Sequence, residues 1–253
     1  MTGDVVLLEA APPIAVLRLN RPEKLNAISA GVIASLGAHL DALASDGAVG
    51  ALVLAGSGRA FAAGADVDDM PPPAEAEAFV DTWRCVLDFP KPIVAAVSGH
   101  CLGGGFELAL MCDIIVASET ARFALPETGL GLLPGAGGTQ LLPRTVGRSL
   151  AAEVVLAGRV LTAGEALAHG VASRVVPVAD LEEAALGVAA AIASKGPLAT
   201  RHAKAALRAA RALPFADGLA RERASFVALL GTEDWIEGRA ALAERRAATF
   251  TGR

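Results

Sequence analysis

The feature that most constrains the fold is a set of three short, continuously apolar segments that alternate with segments of helical periodicity. Residues 51–55, 92–98 and 113–117 are almost free of charge, and such runs are typical of strands buried on both faces of a mostly parallel sheet. Ahead of the first run, Ser29 is placed to cap a helix that continues to about Asp46. This alternation predicts right-handed βαβ units in an α/β fold.

The rest of the chain divides into a hairpin at the start and a helix-rich part at the end. Residues 5–10 and 14–19 flank a proline turn and predict two antiparallel strands. Residues 74–87 predict one helix, and residues 99–105 a glycine-rich turn before a helix at Phe106. Downstream, Ala, Leu, Glu and Arg recur at helical spacing. The segments expected there are a short strand at 172–176 and helices near 137–146, 148–157, 163–169, 178–194, 197–211, 215–230 and 233–246.

Composition excludes several classes of protein. The 253 residues are 53% hydrophobic and 19% charged, which excludes intrinsic disorder. The net charge of −5 argues against a general nucleic-acid binder. No uncharged run reaches the ~20 residues of a membrane-spanning helix, so we expect no membrane partner.

The first residues lack the basic and apolar regions of a signal peptide, which predicts a cytoplasmic protein. Three cysteines, Cys85, Cys101 and Cys112, match no metal or redox motif. We interpret them as buried thiols in a reducing compartment. We therefore expect no metal site.

Three glycine-bearing segments carry the candidate chemistry. Residues 59–66 and 99–113 each follow a buried strand, where open α/β sheets place their ligands, and the second opens a helix with free N–H groups. Residues 123–140 add a second carboxylate in apolar surroundings. Glu107 and Glu127 could each cap a helix or pair with a base; alternatively they form a general acid/base pair. Spacing alone leaves both interpretations open.

Taken in order, these segments resemble the signature blocks of the crotonase superfamily, the enoyl-CoA hydratase/isomerase family. The resemblance covers nearly the whole chain. Its blocks are Leu19–Ala27, Ala62–Asp66, Gly103–Ala109 with Asp113, Pro126–Thr139, Pro143–Gly147 and residues 237–246. It implies a crotonase-like (ββα)n spiral core at residues 1–195 and a C-terminal helical trimerisation region at 196–253. It also implies a homotrimer, or a homohexamer made of two trimers.

The resemblance implies a reaction as well. The backbone N–H groups of Ala65 and Gly104 would form an oxyanion hole for an acyl thioester. Glu107 and Glu127 would flank a water that adds to a trans-2-enoyl-CoA and gives a 3-hydroxyacyl-CoA. Isomerases of the family usually keep one glutamate here, so the pair favours hydration. The alternatives are Δ3-Δ2-enoyl-CoA isomerisation or another crotonase-type reaction.

CoA would enter as part of the substrate, with no permanently bound cofactor. Because CoA carries phosphates, Arg59 and Lys24 are the candidate cations, although each could equally be a solvated surface charge. The backbones of Ala63 and Ala27 match the family's adenine and pantetheine contacts. The full set of expected CoA contacts is Lys24, Ala27, Arg59, Ala63, Ala65 and Asp66.

Two rival classes use the same residues differently. A non-catalytic acyl-CoA binder would keep the glycine turn without needing the glutamates, and an RNA binder would need a basic stripe that is absent here. We interpret Asp113 as structural and His100 as non-catalytic. The acyl pocket is expected within residues 67–89, with Met70, the proline run, Trp83 and Leu87 as candidates.

Overall fold

The computed structural model describes residues 4–253 and contains two sheets surrounded by helices. The strands are β1 (Val6–Ala11), β2 (Ile14–Leu19), β3 (Ala51–Gly56), β4 (Ala60–Ala62), β5 (Ile93–Val97), β6 (His100–Leu102), β7 (Ile114–Ser118), β8 (Arg122–Ala124), β9 (Leu161–Thr162) and β10 (Arg174–Val176). The helices are α1 (Ala30–Ser45), α2 (Pro73–Thr82), α3 (Arg84–Leu87), α4 (Gly104–Met111), α5 (Gly138–Val146), α6 (Arg148–Leu156), α7 (Ala163–Ala168), α8 (Leu181–Ala193), α9 (Pro197–Ala212), α10 (Phe215–Leu229) and α11 (Glu233–Glu244).

The larger sheet has the order β1-β2-β3-β5-β7-β10, and the smaller one has the order β4-β6-β8-β9. β1 and β2 form the predicted antiparallel hairpin, and all further neighbours in the larger sheet are parallel. The chain repeatedly adds one strand to each sheet and then a helical segment. This is the spiral expected from the resemblance, and the predicted α/β class is confirmed.

The central strands are apolar throughout because helices cover both faces of the larger sheet. On one face, Leu52 and Leu54 belong to the same core cluster as Leu36 of α1. On the other face, Val53 and Ala185 of α8 are part of a second cluster. Each such side chain removed from water contributes roughly 1.5–3 kcal/mol. Burial on both sides explains why these strands show continuous rather than alternating hydrophobicity.

The predicted cap of α1 is confirmed, since the Ser29 hydroxyl accepts a hydrogen bond from the N–H of Val32. The single helix expected over residues 74–87 was wrong: it divides into α2 and α3 at Trp83. The turn expected at 99–105 was also too simple, because it contains β6. Strands β4, β6 and β8 have three residues each, too few for a periodic signal, so the second sheet escaped prediction.

The C-terminal helices are joined to the core by an ion pair whose lysine is buried. Nζ of Lys204 on α9 lies 2.6 Å from the Asp113 carboxylate, and Lys204 also donates to the carbonyl of Lys91. Asp113 in turn accepts the N–H of Ile93 at the start of β5, as expected for a structural residue. Among residues 4–253, no helix is both long and apolar enough to cross a membrane.

Candidate active site

The glycine turn before α4 brings two backbone N–H groups close together. Gly103 has a φ of +51°, which favours glycine, and α4 begins at the next residue. A Cβ placed on Gly104 would lie 3.4 Å from the nitrogen of Ala65. Within residues 4–253, neither of these two N–H groups donates a hydrogen bond. Two adjacent free donors at a helix start can stabilise an anionic oxygen.

Glu107 lies in the first turn of α4, with 3% of its surface exposed. Its Oε1 accepts hydrogen bonds from the N–H groups of Ala136 (2.8 Å) and Gly138 (2.7 Å). Burial, with a smaller contribution from the charge of Glu127, raises the pKa of Glu107 to about 7 against the lowering effect of these donors. Glu107 can therefore exchange a proton near neutral pH.

Glu127 approaches the same turn from the segment that follows β8. Its Oε1 lies 3.0 Å from the position of a Cβ on Gly103, so any side chain there would collide with the carboxylate. Its Oε2 is buried and has no hydrogen-bond partner within the described residues. Burial also raises the pKa of Glu127. A buried carboxyl oxygen without a partner is available to a bound water or substrate.

The loop before α1 is cross-linked to Asp66, the residue that follows Ala65. Arg21 donates to the carbonyl of Ala27 (2.7 Å) and to the carboxylate of Asp66 (2.8 Å). The same contact lowers the pKa of Asp66. Because Ala27 also donates its N–H to the backbone carbonyl of Lys24, both of its backbone groups are engaged inside the loop. A pantetheine contact at Ala27 would use the second lone pair of its carbonyl.

The two predicted cations have different surroundings. Nζ of Lys24 lies 3.3 Å from Asp66 and 3.4 Å from Asp68, and this pairing raises the pKa of Lys24. Arg59 is exposed between β3 and β4, and its side chain has no hydrogen-bonding or ionic partner in the described part of the chain. Ala63 donates its N–H to the carbonyl of Leu25, so a further contact at this backbone would have to use its carbonyl. Arg59 is thus the cation that is free to meet a phosphate.

Comparison with known proteins finds a family whose members are similar to this chain over almost its entire length. The model of the enoyl-CoA hydratase/isomerase family matches residues 9–253. The chain belongs to this family.

Individual relatives support the same assignment. The chain is 46% identical to a protein of Rhizobium meliloti named "Probable enoyl-CoA hydratase", with all of both chains covered. It is 44% identical to the 2,3-dehydroadipyl-CoA hydratase of Escherichia coli, over 95% of this chain and 96% of that protein. An enoyl-CoA hydratase structure from Geobacillus kaustophilus superposes with a TM-score of 0.94 at 39% identity, covering 98% of each chain.

The structure brings together Ala65, Gly104, Glu107 and Glu127 at one turn. It places Lys24 and Asp66 in an ion-paired cluster beside this site and Arg59 on the surface. Sequence reasoning missed the two N–H donors to Glu107 and the Trp83 ring against Gly104. The closely spaced glycines in residues 135–138 were the available signal, since they allow a backbone to approach a side chain closely.

Proposed function

We propose that this protein is an enoyl-CoA hydratase, which adds water reversibly to a trans-2-enoyl-CoA and gives a 3-hydroxyacyl-CoA. The observation that carries the proposal is the pairing of Glu107 and Glu127 beside two free backbone donors. Both carboxyl groups have raised pKa values, and one oxygen of Glu127 is buried without a partner. The hydratase names of full-length relatives at 41–46% identity support the same chemistry.

The reaction follows from this arrangement. The N–H groups of Ala65 and Gly104 donate to the thioester carbonyl oxygen and stabilise the charge that develops there as an enolate. The oxygen of a water held between the glutamates bonds to C3, and one carboxylate accepts its proton. The other carboxyl group delivers a proton to C2. The C2=C3 double bond is consumed, and the pair retains one proton overall.

The CoA portion is proposed to lie across the outer loops. Arg59 pairs with a CoA phosphate, Lys24 contributes through its mixed cluster with Asp66, and the backbones of Ala27 and Ala63 contact pantetheine and adenine. Exposed charge pairs are weak, typically below about 1 kcal/mol, so most of the binding energy must come from the buried portion of the substrate.

We propose a homotrimer or a pair of trimers in the cytoplasm. The C-terminal helices expose Phe215 (85%), Phe226 (63%) and Leu242 (80%), and exposed apolar surface on this scale is typical of a subunit interface. Light scattering at micromolar concentration tests this part, and a monomer would contradict it.

The activity is tested by following the absorbance of the conjugated thioester in trans-2-enoyl-CoAs of increasing chain length and with an aromatic chain. We expect rapid loss of absorbance with at least one chain class and loss of that activity by at least about 10²-fold in Glu127→Gln. Near-normal turnover in that variant would contradict hydration by the pair. If no substrate loses absorbance while saturated CoA esters bind, another crotonase-type reaction, such as isomerisation, replaces the proposal.

A further inference from the structure

We propose that Trp83 is a positioning residue that holds the N–H of Gly104 in the orientation needed for the thioester carbonyl. This inference rests on the proposed function in one respect: Ala65 and Gly104 bind a thioester carbonyl. It does not depend on whether the bound ester is hydrated, isomerised or cleaved.

The indole ring lies directly against the oxyanion-hole glycine. A Cβ on Gly104 would meet Cη2 of Trp83 at 2.7 Å and Cζ3 at 3.3 Å, and the same point lies 3.4 Å from the nitrogen of Ala65. The tip of the six-membered ring therefore lies against Gly104 on the side where a Cβ would stand. It also fills the space into which the Gly103–Gly104 peptide would otherwise move.

The carbonyl of that peptide is held by α4, because it accepts hydrogen bonds from the N–H groups of Phe106 and Glu107. The ring would therefore act on the N–H end of a peptide that joins two glycines. Gly103 has a φ of +51°, and neither residue has a side chain to anchor it. Donors act on a transition state only if they are already oriented when charge develops. The Gly103 N–H is fixed by the carbonyl of Ala124 (2.8 Å), whereas the Gly104 N–H is left for the substrate.

The ring is itself held rigidly. Trp83 is 2% exposed, and Phe79 contacts it edge-on with ring centroids 6.3 Å apart. Its backbone N–H donates to the carbonyl of Val80 at the break between α2 and α3. The tip of the ring lies against Gly104, so we expect its influence on the reaction to pass through that residue.

The indole nitrogen adds an independent indication. Nε1 of Trp83 is buried without a hydrogen-bond partner among residues 4–253. Burying an unpaired N–H is unfavourable, and buried tryptophans usually satisfy it. An aromatic or aliphatic side chain without a polar atom would fill a core site at lower cost. Tryptophan is favoured at this position because its six-membered ring is long enough to contact Gly104.

The test uses butyryl-CoA labelled with carbon-13 at the thioester carbonyl, because a saturated ester binds but cannot be hydrated. Infrared difference spectra report the carbonyl stretch, which falls in frequency when the oxygen accepts hydrogen bonds. The variants are Trp83→Ala and Trp83→Phe. Val86→Ala is the control, since Val86 lies three residues away, is equally buried and does not appear among the neighbours of Gly104.

We expect the frequency of bound butyryl-CoA to be lowered in the wild type and in Val86→Ala. Trp83→Ala should lose most of that shift, and Trp83→Phe part of it. In hydration assays, kcat of Trp83→Ala should fall at least about tenfold while KM changes less, since a full donor is worth 10²–10³. A merely structural role would lower stability in both Trp83→Ala and Val86→Ala and leave the carbonyl shift intact.

A full carbonyl shift in Trp83→Ala would overturn the inference. If Trp83→Ala does not fold, a full shift in Trp83→Phe would overturn it equally. If the wild type shows no shift of the carbonyl frequency, Ala65 and Gly104 do not bind the thioester carbonyl, and the inference about Trp83 is wrong. A wild type that polarises butyryl-CoA but hydrates no enoyl-CoA would contradict the proposed function alone.

Discussion

The backbone N–H of Gly138 donates to Oε1 of Glu107 over 2.7 Å, across a separation of 31 residues. This bond fixes one oxygen of a buried carboxyl group and leaves the other for chemistry. It also joins the start of α5 to α4, so the geometry of the acid depends on a loop distant in sequence.

Substitution of Gly138 by alanine should damage catalysis more than binding. Its Cβ would lie 2.9 Å from Pro134, 3.0 Å from Leu125 and 3.1 Å from Oε1 of Glu107, so the loop or the carboxylate must shift. We expect kcat of hydration to fall about 10- to 100-fold, because misplaced groups lose much of their effect. Gly129→Ala is the matched control, since its Cβ meets nothing within 4 Å. Equal activity of the two variants would refute this role of the bond.

Glu107→Gln should increase stability at alkaline pH. Because burial raises the folded pKa of Glu107 to about 7 from an ordinary 4.5, the folded state binds this proton more tightly than the unfolded state. The contribution of Glu107 to the free energy of unfolding therefore falls as pH rises from about 4.5 to 7. A glutamine avoids that loss and can still accept both N–H groups. We expect denaturant unfolding at pH 8 to give a free energy about 1–3 kcal/mol above wild type, with little difference at pH 4.5.

Glu165→Gln serves as a contrast of opposite sign. Glu165 closes a capping box with Thr162. The hydrogen bond from the backbone N–H of Thr162, together with a smaller effect of the Arg159 side chain, lowers the pKa of Glu165 to about 2. Its contribution is present above the ordinary value of 4.5 and is lost as pH falls toward 2. The variant should therefore be less stable than wild type at pH 8. A stability gain in both variants would show that the pH argument is wrong.

The rate of hydration should decline above neutral pH. The reaction needs one proton on the Glu107–Glu127 pair, and a doubly ionised pair cannot deliver one to C2. With the pKa of Glu107 at about 7, kcat/KM is expected to fall on the alkaline side with an apparent pKa near that value. The measurement is the initial rate from pH 5 to 10 with a short enoyl-CoA. A flat profile up to pH 9 would contradict it.

Removal of Arg59 should weaken CoA binding more than removal of Lys24. Arg59 is exposed and unpaired within the described residues, whereas Lys24 is already paired with Asp66 and Asp68. We expect Arg59→Ala to raise the Kd of CoA about two- to fivefold at low salt, with the effect fading in high salt. Isothermal titration calorimetry of both variants measures the Kd of CoA. A larger loss of affinity in Lys24→Ala would show that Lys24, and not Arg59, is the main cation for the phosphates.

Loss of the Lys204–Asp113 pair should cost more stability than loss of a fully exposed pair. The Lys204 side chain is 5% exposed and the Asp113 side chain 23%, and without Lys204 the Asp113 carboxylate loses its closest cation. We expect Lys204→Ala to lower the free energy of unfolding by about 1.5–3 kcal/mol. Arg84→Ala removes the exposed pair with Asp88 and should cost at most about 1 kcal/mol. Similar losses would exclude the ion pair as the link between α9 and the core.

The sequence determined the elements whose signal is local. The apolar runs of β3, β5 and β7 and the Ser29 cap of α1 predicted the α/β class, because a strand buried on both faces needs no polar positions. Glu107 and Glu127 were identifiable because carboxylates on glycine-rich, apolar segments are unusual, and the resemblance of whole blocks connected them to one family. The pairing of free N–H groups at Ala65 and Gly104 came from that resemblance and remains a prediction of role.

Only the tertiary structure decided the contacts between distant segments. The second sheet is built from strands of two or three residues that carry no periodic signal, so its existence depends on the spiral as a whole. The donors of Gly138 and Ala136 to Glu107, the Trp83 ring against Gly104 and the Lys204–Asp113 pair join residues far apart in the chain. The partners of a buried charge or peptide are the groups that tertiary packing places beside it. Local sequence propensity does not specify those partners, because they come from distant parts of the chain.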